Sequence, residues 1–499
     1  MSTPVNTTGS VALLQTGIPG FDLLAMGGLP KHRTTLVSGT AGSAKTVFIT
    51  QFLVEGIRQA GESCVFVTLE ESPDDIRNNM RSLGWDIARW EADAMWLFVD
   101  GLPPVEQEDV LIGDYDLGGL LARMRAAIAR IGAKRLAMDA ISALFIRFGD
   151  QATIRRELFR ISRALRSMNV TSVMSCERIS DEGEIGRYGV EEFVADNVII
   201  LRNVLEAELR RRTVEILKLR GVPHRRGEFP FVIVDGKGIE VVPLSAIPLR
   251  HKSSNVRATF GNAGLDRMCN GGPFRDSTTL VSGPTGAGKT LMATEFAAGA
   301  AVAGERCLFL GFEESRDQLF RNATGWGHNF AQMESDKLLQ VVCEYPESAS
   351  LDDRLTRIKE MVEQFHPHRI VLDSLSSLGR FASARTLRDF IVGLTAFIKE
   401  MQIPALFTAS TEPIIGAAKI TELQLTSFTD SVILLRYVEA GGKMRHGVTV
   451  LKMRGSRHET EIREFTIDDH GMRIGQSFHH MPGALTGSGP AAADTNGGA

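Results

Sequence analysis

Short apolar runs alternate with longer amphipathic stretches along most of this chain. In its first half the runs read TTLVSG, SCVFVTLE, RLAMDA, VTSVMSC, DNVIILRN and VEILKLR. Their β-branched character and short length are those of strands. Between them, residues 120–131 and 155–168 place apolar side chains three and four positions apart, as a helix with one buried face does. This alternation predicts an α/β fold, a mostly parallel sheet with helices on both faces.

The whole pattern then starts again. TGIPGFDLLAMGGLPKHRTTLVSGTAGSAKT (16–46) returns as TFGNAGLDRMCNGGPFRDSTTLVSGPTGAGKT (259–290). FVTLEESPDDIRNNMRSLGWD (66–86) returns as FLGFEESRDQLFRNATGWG (309–327). RLAMDAISAL (135–144) matches RIVLDSLSSL (369–378), and EILKLRGVPH (215–224) matches TVLKMRGSRH (449–458). The lysines of the first block lie 244 positions apart and the acidic pairs 243, and the last two blocks are offset by 234. An offset this steady means a domain duplicated in tandem, not a short-period solenoid. The expected layout is a flexible N-terminus (1–10), a first domain (11–248), a linker (249–254), a second domain (255–475) and a tail (476–499). The linker region carries prolines and the polar run HKSSN. The tail, rich in small residues, Gly and Pro, cannot bury a core and is expected to be disordered.

Composition narrows the function classes. With 43% hydrophobic and 23% charged residues the chain is globular, and its 499 residues suit two large domains. A net charge of −4 weighs against a surface that holds DNA through general basicity, which leaves a local stretch such as Arg210–Arg212 as the candidate for a basic channel loop. No apolar run approaches the roughly 18 residues of a membrane span, and MSTPVNTTGS has no signal-peptide pattern. Five cysteines stand singly, so zinc and disulfides are not expected and a reducing cytoplasm is.

The repeated blocks carry phosphate chemistry. GPTGAGKT (283–290) meets the pattern GxxxxGK[ST] after an apolar strand and before a helix. Gly283, Thr285, Gly286, Ala287 and Gly288 form a loop whose N–H groups wrap phosphates; Lys289 reaches the β- and γ-phosphates, and Thr290 ligates Mg²⁺. In the first copy, Gly39, Thr40, Gly42, Ser43, Lys45 and Thr46 keep the pattern, but Ala44 stands where glycine belongs. Its methyl is expected to crowd the β-phosphate or alter the turn, with nucleotide still bound. Asp139 and Asp373 end apolar strands, the place for a carboxylate that holds Mg²⁺. Glu70, Glu71, Glu313 and Glu314 follow the strands CVFVTL and CLFLGF. One of each pair is positioned as general base, because neighbours on a strand point to opposite faces. The second of each pair also reads as a helix-opening acid. Lys218 with Arg220, and Lys452 with Arg454, alternate on late strands and would present both cations on one face, next to His224 and His458.

These blocks, with YGVEEFVADNVIILRNVLEAELRRRTVEILKLRG and SSNVR…LDRMCNGG, make the chain up to about residue 475 resemble the KaiC family, the tandem RecA-like ATPases and autokinases of the circadian oscillator. The resemblance implies two RecA-like P-loop NTPase domains in a double-ring homohexamer, with ATP and Mg²⁺ at subunit interfaces. It implies that the Lys/Arg triplets act on the neighbour's phosphates. It adds ATP contacts at Ser82, Leu219, Leu291, Trp326 and Met453, and a metal role for Glu313.

The 234-residue offset lays FTDSVILLRYV (428–438) on VADNVIILRNV (194–204), so Thr426 corresponds to Glu192 and Ser427 to Phe193. In the family this place carries an autophosphorylated Ser-Thr pair, with a further threonine five residues before. Here those positions are Thr426, Ser427 and Thr421. The order of the pair is reversed, so the resemblance gives no order of phosphorylation. Residues 181–194 match the KaiB docking region, which makes KaiB or a KaiB-like protein the expected partner. The uncharged tail gives no support to KaiA. Two other classes fit a P-loop repeat: a RecA/RadA-like DNA-dependent ATPase, and a signalling scaffold assembled by ATP.

Overall fold

The computed structural model describes residues 11–101, 117–145, 151–181, 183–187, 189, 195–206, 209–242, 253–411, 425–440 and 443–478. The expected flexible N-terminus, most of the linker, Glu192, Phe193, Thr421 and the tail from 479 lie outside the described residues. The chain divides into two compact units, Met1–Ile247 and Pro248–Ala499.

In the first unit, β1 (Leu13–Leu14) and β2 (Leu29–Pro30) form a small antiparallel pair. The main sheet uses β3 (Thr34–Gly39), β4 (Cys64–Thr68), β5 (Trp96–Asp100), β6 (Arg135–Asp139), β7 (Thr171–Glu177), β8 (Asn197–Glu206), β9 (Leu209–Leu219), β10 (Glu228–Val234) and β11 (Gly238–Val241). Their order is β5-β4-β6-β7-β3-β8-β9-β10-β11, parallel as far as β8 and antiparallel beyond it. The second unit has β12 (Thr278–Gly283), β13 (Cys307–Gly311), β14 (Leu339–Cys343), β15 (Arg369–Asp373), β16 (Ala405–Ser410), β17 (Ser431–Ala440), β18 (Lys443–Met453), β19 (Arg463–Asp468) and β20 (Gly471–Ser477). They take the same order, β14-β13-β15-β16-β12-β17-β18-β19-β20. The duplication therefore extends to the topology of the whole nine-stranded sheet.

TTLVSG is buried at every position in both copies because helices cover both faces of the central strands. In the first unit, one core joins the helix Lys45–Ala60 to Val37, Phe66, Ile199 and Ile216, and a second core joins the helices Leu117–Ile131 and Gln151–Ser167 to Leu36, Val65 and Ile200. Both of the expected helices are present, each starting a few residues early.

The antiparallel extension departs from the sequence reading. Arg210, Arg211 and Arg212 belong to β9, where Arg210 donates to the Asn203 carbonyl (2.8 Å) and Arg212 to the carbonyl of Gly42 (3.3 Å). They are strand residues and not a mobile basic loop. β20 also runs through Ser477, two residues into the stretch expected to be tail.

Two buried arginines hold the strands that lead to the site. Arg135, at the start of β6, donates to Glu62 (2.7 Å) and to the carbonyls of Phe52 (2.9 Å) and Gln15 (3.0 Å). Arg369, at the start of β15, donates to Glu305 (2.8 Å) and to the carbonyl of Thr259 (2.6 Å). Arg369 is 1% exposed, so its removal leaves the Thr259 carbonyl and one oxygen of Glu305 without a partner in a dry place, while Arg275 keeps the other oxygen of Glu305. With two buried acceptors losing a donor, Arg369→Ala is expected to cost the second unit about 2–4 kcal/mol. Denaturant unfolding of the whole chain, followed through both transitions, checks this.

Candidate functional site

Each P-loop strand lies between its parallel neighbours at the point where the chain order reverses, β7-β3-β8 and β16-β12-β17. At such a switch point the loops at the carboxyl ends diverge and leave a crevice. Gly39 and Gly283 enter it with no room for a side chain: a Cβ would lie 2.6 Å from the carbonyl oxygen of Leu201 or Leu435. The loops then deliver their residues to helices starting at Lys45 and Lys289.

The glycine missing from the first copy is explained by direction. Ala44 adopts φ 71°, ψ 30°, and its counterpart Gly288 φ 94°, ψ 18°. A Cβ on Gly288 would meet Met472 and Phe465 of the apolar core, and the more exposed Ile467, at 3.5–3.6 Å, ordinary contact distances. Ala44 packs on the matching core of the first unit. The turn is kept and the methyl faces the core, so the expected crowding of the phosphate side does not follow from this geometry. What remains is the cost of a left-handed alanine, about 1–2 kcal/mol.

Beyond the turn, the two copies coincide in hydrogen bonding. Thr46 Oγ1 donates to Asp139 Oδ2 (2.6 Å) and Thr290 Oγ1 to Asp373 Oδ2 (2.8 Å). The other oxygens of Asp139 and Asp373 accept from Ser175 and Thr408. Lys45 Nζ donates to the Thr40 carbonyl (3.0 Å); Lys289 Nζ donates to those of Gly283 (3.0 Å) and Pro284 (2.9 Å). A buried ammonium held by neutral carbonyls is short of counter-charge, and burial lowers the pKa of Lys289 against the pull of Glu313 and Asp373. Burial likewise pushes Asp373 up to about 6, opposed by its Thr408 and Thr290 hydrogen bonds. It raises Asp139 too. This donor set fits the phosphates and divalent cation of a nucleotide: Lys and loop N–H groups for the anion, Thr and Asp oxygens for the metal.

The glutamate pairs lie beyond the strands, in the bends after β4 and β13, so strand alternation does not separate them. Hydrogen bonding does. Glu71 Oε2 accepts from Asn79 (3.1 Å) and Glu314 Oε2 from Asn322 (3.0 Å), each on the following helix. The helix-opening role belongs instead to Ser72 and Ser315, which cap those helices. Glu313 Oε1 accepts from Ser374 (2.5 Å) and Ser377 (2.8 Å). Glu70 makes no hydrogen bond among the described residues; loss of hydration and then the nearby Glu177 raise its pKa. Glu71 is raised by burial and by Asp139.

A family model described as "ATPase: KaiC" matches residues 14–246 and again 259–478. The chain belongs to the KaiC family of ATPases. It is 54% identical over 481 residues to circadian clock protein KaiC3 of Synechocystis sp., covering 96% of this chain and 95% of that protein. It is 46% identical over 490 residues to the circadian clock oscillator protein KaiC of Synechococcus elongatus, covering 98% and 94%. To the KaiC of Acaryochloris marina it is 46% identical over 478 residues, covering 96% and 91%. No helix among the described residues is long and apolar enough to cross a membrane.

In this KaiC-family chain the remaining expected residues divide by position. Lys218 and Lys452 lie near the ends of β9 and β18, just after bulges opposite Val198/Ile199 and Val432/Ile433, but Arg220 and Arg454 lie in the turns beyond, where strand alternation no longer holds. Lys452 Nζ donates to the carbonyl of Thr429 (2.6 Å), and Arg454 to that of Ser427 (3.2 Å). Arg220 and Arg454 each stand 3.7 Å from an aspartate, Asp196 and Asp430. Ser427 is exposed on the short helix Leu425–Phe428, which also includes Thr426. His224 and His458 each bury Nδ1 without a hydrogen-bond partner. Ser82 and Trp326 follow the helices Pro73–Arg81 and Arg316–Gly325. The side chains of Leu219, Leu291 and Met453 lie in the cores. Ser374, Ser377 and Glu177 were missed in the sequence, although RLAMDAISAL against RIVLDSLSSL displays both serine differences.

Two outcomes follow from this geometry. Gly288→Ala should keep nucleotide binding and cost roughly 1–2 kcal/mol, whereas Gly283→Ala should abolish binding, since its Cβ meets backbone. Binding of a fluorescent ATP analogue checks both. A proton competes with a metal for Asp373, so Mg²⁺ affinity at the second site should fall as pH drops through about 6, by up to about tenfold per unit. Calorimetric Mg²⁺ titrations of the ATP-loaded protein at pH about 5 and about 7.5 measure it.

Proposed function

We propose that this chain is an ATP hydrolase and serine/threonine autokinase of the KaiC type, hydrolysing ATP in its first half and phosphorylating Thr426 and Ser427 in its second. One observation carries the division of labour. Both halves hold the same lysine, threonine, aspartate and glutamate set, but hydroxyl side chains precede the β17 strand only in the second, where the first has Glu192 and Phe193. The segment with those hydroxyls is tied through its carbonyls to Lys452 and Arg454.

In this reading Lys45 and Lys289 bind the phosphates, and Thr46, Asp139, Thr290 and Asp373 would hold Mg²⁺, which would neutralise charge on the transferring group. Glu313 takes the proton of the acceptor hydroxyl as its oxygen bonds the γ-phosphorus of ATP and the bond to ADP breaks. In the first half Glu70 has only water to activate. The assembly is a homohexamer of two rings, with Lys218, Arg220, Lys452 and Arg454 reaching the neighbour's nucleotide, in a cytoplasmic timing or related signalling role. KaiB or a KaiB-like protein docks on the first domain about residues 181–194. The strand placement of Arg210–Arg212 supports the kinase reading over a DNA-dependent ATPase.

Mixed rings test it. Subunits carrying Lys289→Ala but intact Thr426 and Ser427 are combined with subunits carrying Thr426→Ala and Ser427→Ala but an intact P-loop. After incubation with γ-labelled ATP, label is expected on the Lys289→Ala subunits, mapped to Thr426 or Ser427. Label on a first-half residue, or none on these subunits although mixed rings form, overturns the assignment.

A further inference from the structure

The two halves differ most sharply beside the first glutamate of each pair. Ser374 and Ser377 follow Asp373 and are 0% and 4% exposed. Both hydroxyls lie on one carboxylate oxygen, Glu313 Oε1, at 2.5 and 2.8 Å, and they lie 3.1 Å from each other. An ionised carboxylate has no proton to give, so Oε1 is the final acceptor of this three-oxygen cluster. Oε2 makes no hydrogen bond among the described residues. In the first half the matching residues are Ala140 and Ala143, and Glu70 is held by nothing equivalent.

A purely local role for Ser374 does not fit. It occupies the N-cap of the helix Leu375–Gly379, where a serine normally accepts from the backbone of its own helix. Its side chain makes no such bond. Ser315, Ser350 and Ser383, at comparable positions in the same unit, do cap their helices. The hydroxyl of Ser374 turns to Glu313 and gives up a contact typically worth about 1 kcal/mol. Neither serine is placed to accept a phosphoryl group itself, because both are buried against the carboxylate.

We infer that Ser374 and Ser377 are positioning residues for phosphoryl transfer in the second half: they pin Glu313 by Oε1 and leave Oε2 as the oxygen that takes the acceptor proton. This deepens the reading of Glu313 as general base and rests on it. A hydroxyl on a neighbouring segment approaches along one direction, so a base that swivels about its side chain spends little time in line with it. Water reorients freely, and the first half works with an untethered glutamate. Misplacement by about 1 Å is enough to cost on the order of 100-fold in rate.

The test is a double-mutant cycle on the full chain in its assembled form. Alanine at both positions is compatible with the fold, because the first half carries it there around the same strand and turn. Ser374→Ala with Ser377→Ala should slow single-turnover phosphorylation from γ-labelled ATP by roughly 10- to 100-fold, with KM for ATP unchanged. In a Glu313→Gln background, already slow, the same serine changes should have no further effect. Equal losses in both backgrounds would assign the serines to the fold and overturn the inference. A fast serine variant beside a slow Glu313→Gln overturns it while leaving Glu313 as base. A Glu313→Gln protein as fast as the parent removes the base itself, and the inference with it.

Discussion

The short hydrogen bond between the first threonine of each P-loop helix and the aspartate that ends the next strand but one organises everything else. Thr46 to Asp139 and Thr290 to Asp373 join two elements that arrive from different parts of the chain. The strand order places β7 between β3 and β6, and β16 between β12 and β15, so the threonine must reach across a strand to find its partner. That is possible only if the loop turns sharply enough to start the helix over the sheet edge. Hence the left-handed backbone at Ala44 and Gly288, and hence the absence of any side chain at Gly39 and Gly283. At the opposite end of β6 and β15, Arg135 and Arg369 hold the strands by side-chain and main-chain bonds. A strand of five residues is thus fixed at one end by a paired cation and ends at the other in a carboxylate with no cation of its own.

That imbalance separates a structural ion pair from a site. Arg369 and Glu305 satisfy each other at 2.7 Å, and their charge is spent within the fold. Asp373 is just as buried, but only hydroxyls reach it, and burial raises its pKa to about 6. Lys289 faces the complementary shortage, an ammonium among carbonyls. Opposite charges left incompletely matched in one crevice are the arrangement a metal–phosphate ligand completes.

Much of this was legible in the sequence because the constraint is local. A fully buried strand, a glycine that touches backbone and a lysine at a helix start leave marks at fixed spacing. The strands β6 and β15 were readable for the same reason. The two margins of the sheet were harder: β5, the parallel edge strand, is partly exposed, and β10 of the antiparallel extension contains Pro230, a residue that weakens any strand reading. The glutamate pairs do follow β4 and β13 as read, but the rule used to sort them fails, since they stand past the strand ends where alternation no longer holds. What separates them, Asn79 and Asn322 against Ser374 and Ser377, depends on which side chains meet after folding. Arg210–Arg212 showed the same limit, because three arginines in a row look alike in a mobile loop and in a hairpin.

Duplication also shows which substitutions had to travel together. On the first P-loop helix Gln51 is buried and clamps β11 alone: its amide donates to the Ile239 carbonyl (3.0 Å) and its oxygen accepts from the Ile239 N–H (2.6 Å). Its counterpart Glu295 can only accept when ionised, and it accepts from the N–H of Met472 (2.6 Å). The carbonyl of Met472 would then be an orphan in the core. Asn262 fills the gap, donating to that carbonyl (2.6 Å) and to Glu295 itself (3.0 Å), at the position where the first half has the buried Ile18. One polar exchange inside a dry clamp therefore required a second on another element, because each buried donor and acceptor must find a partner. The donors around Glu295 favour its charged form, yet burial outweighs them and raises its pKa to about 7. The first half holds the same hairpin with a neutral group, so the two copies keep one geometry by different chemistry.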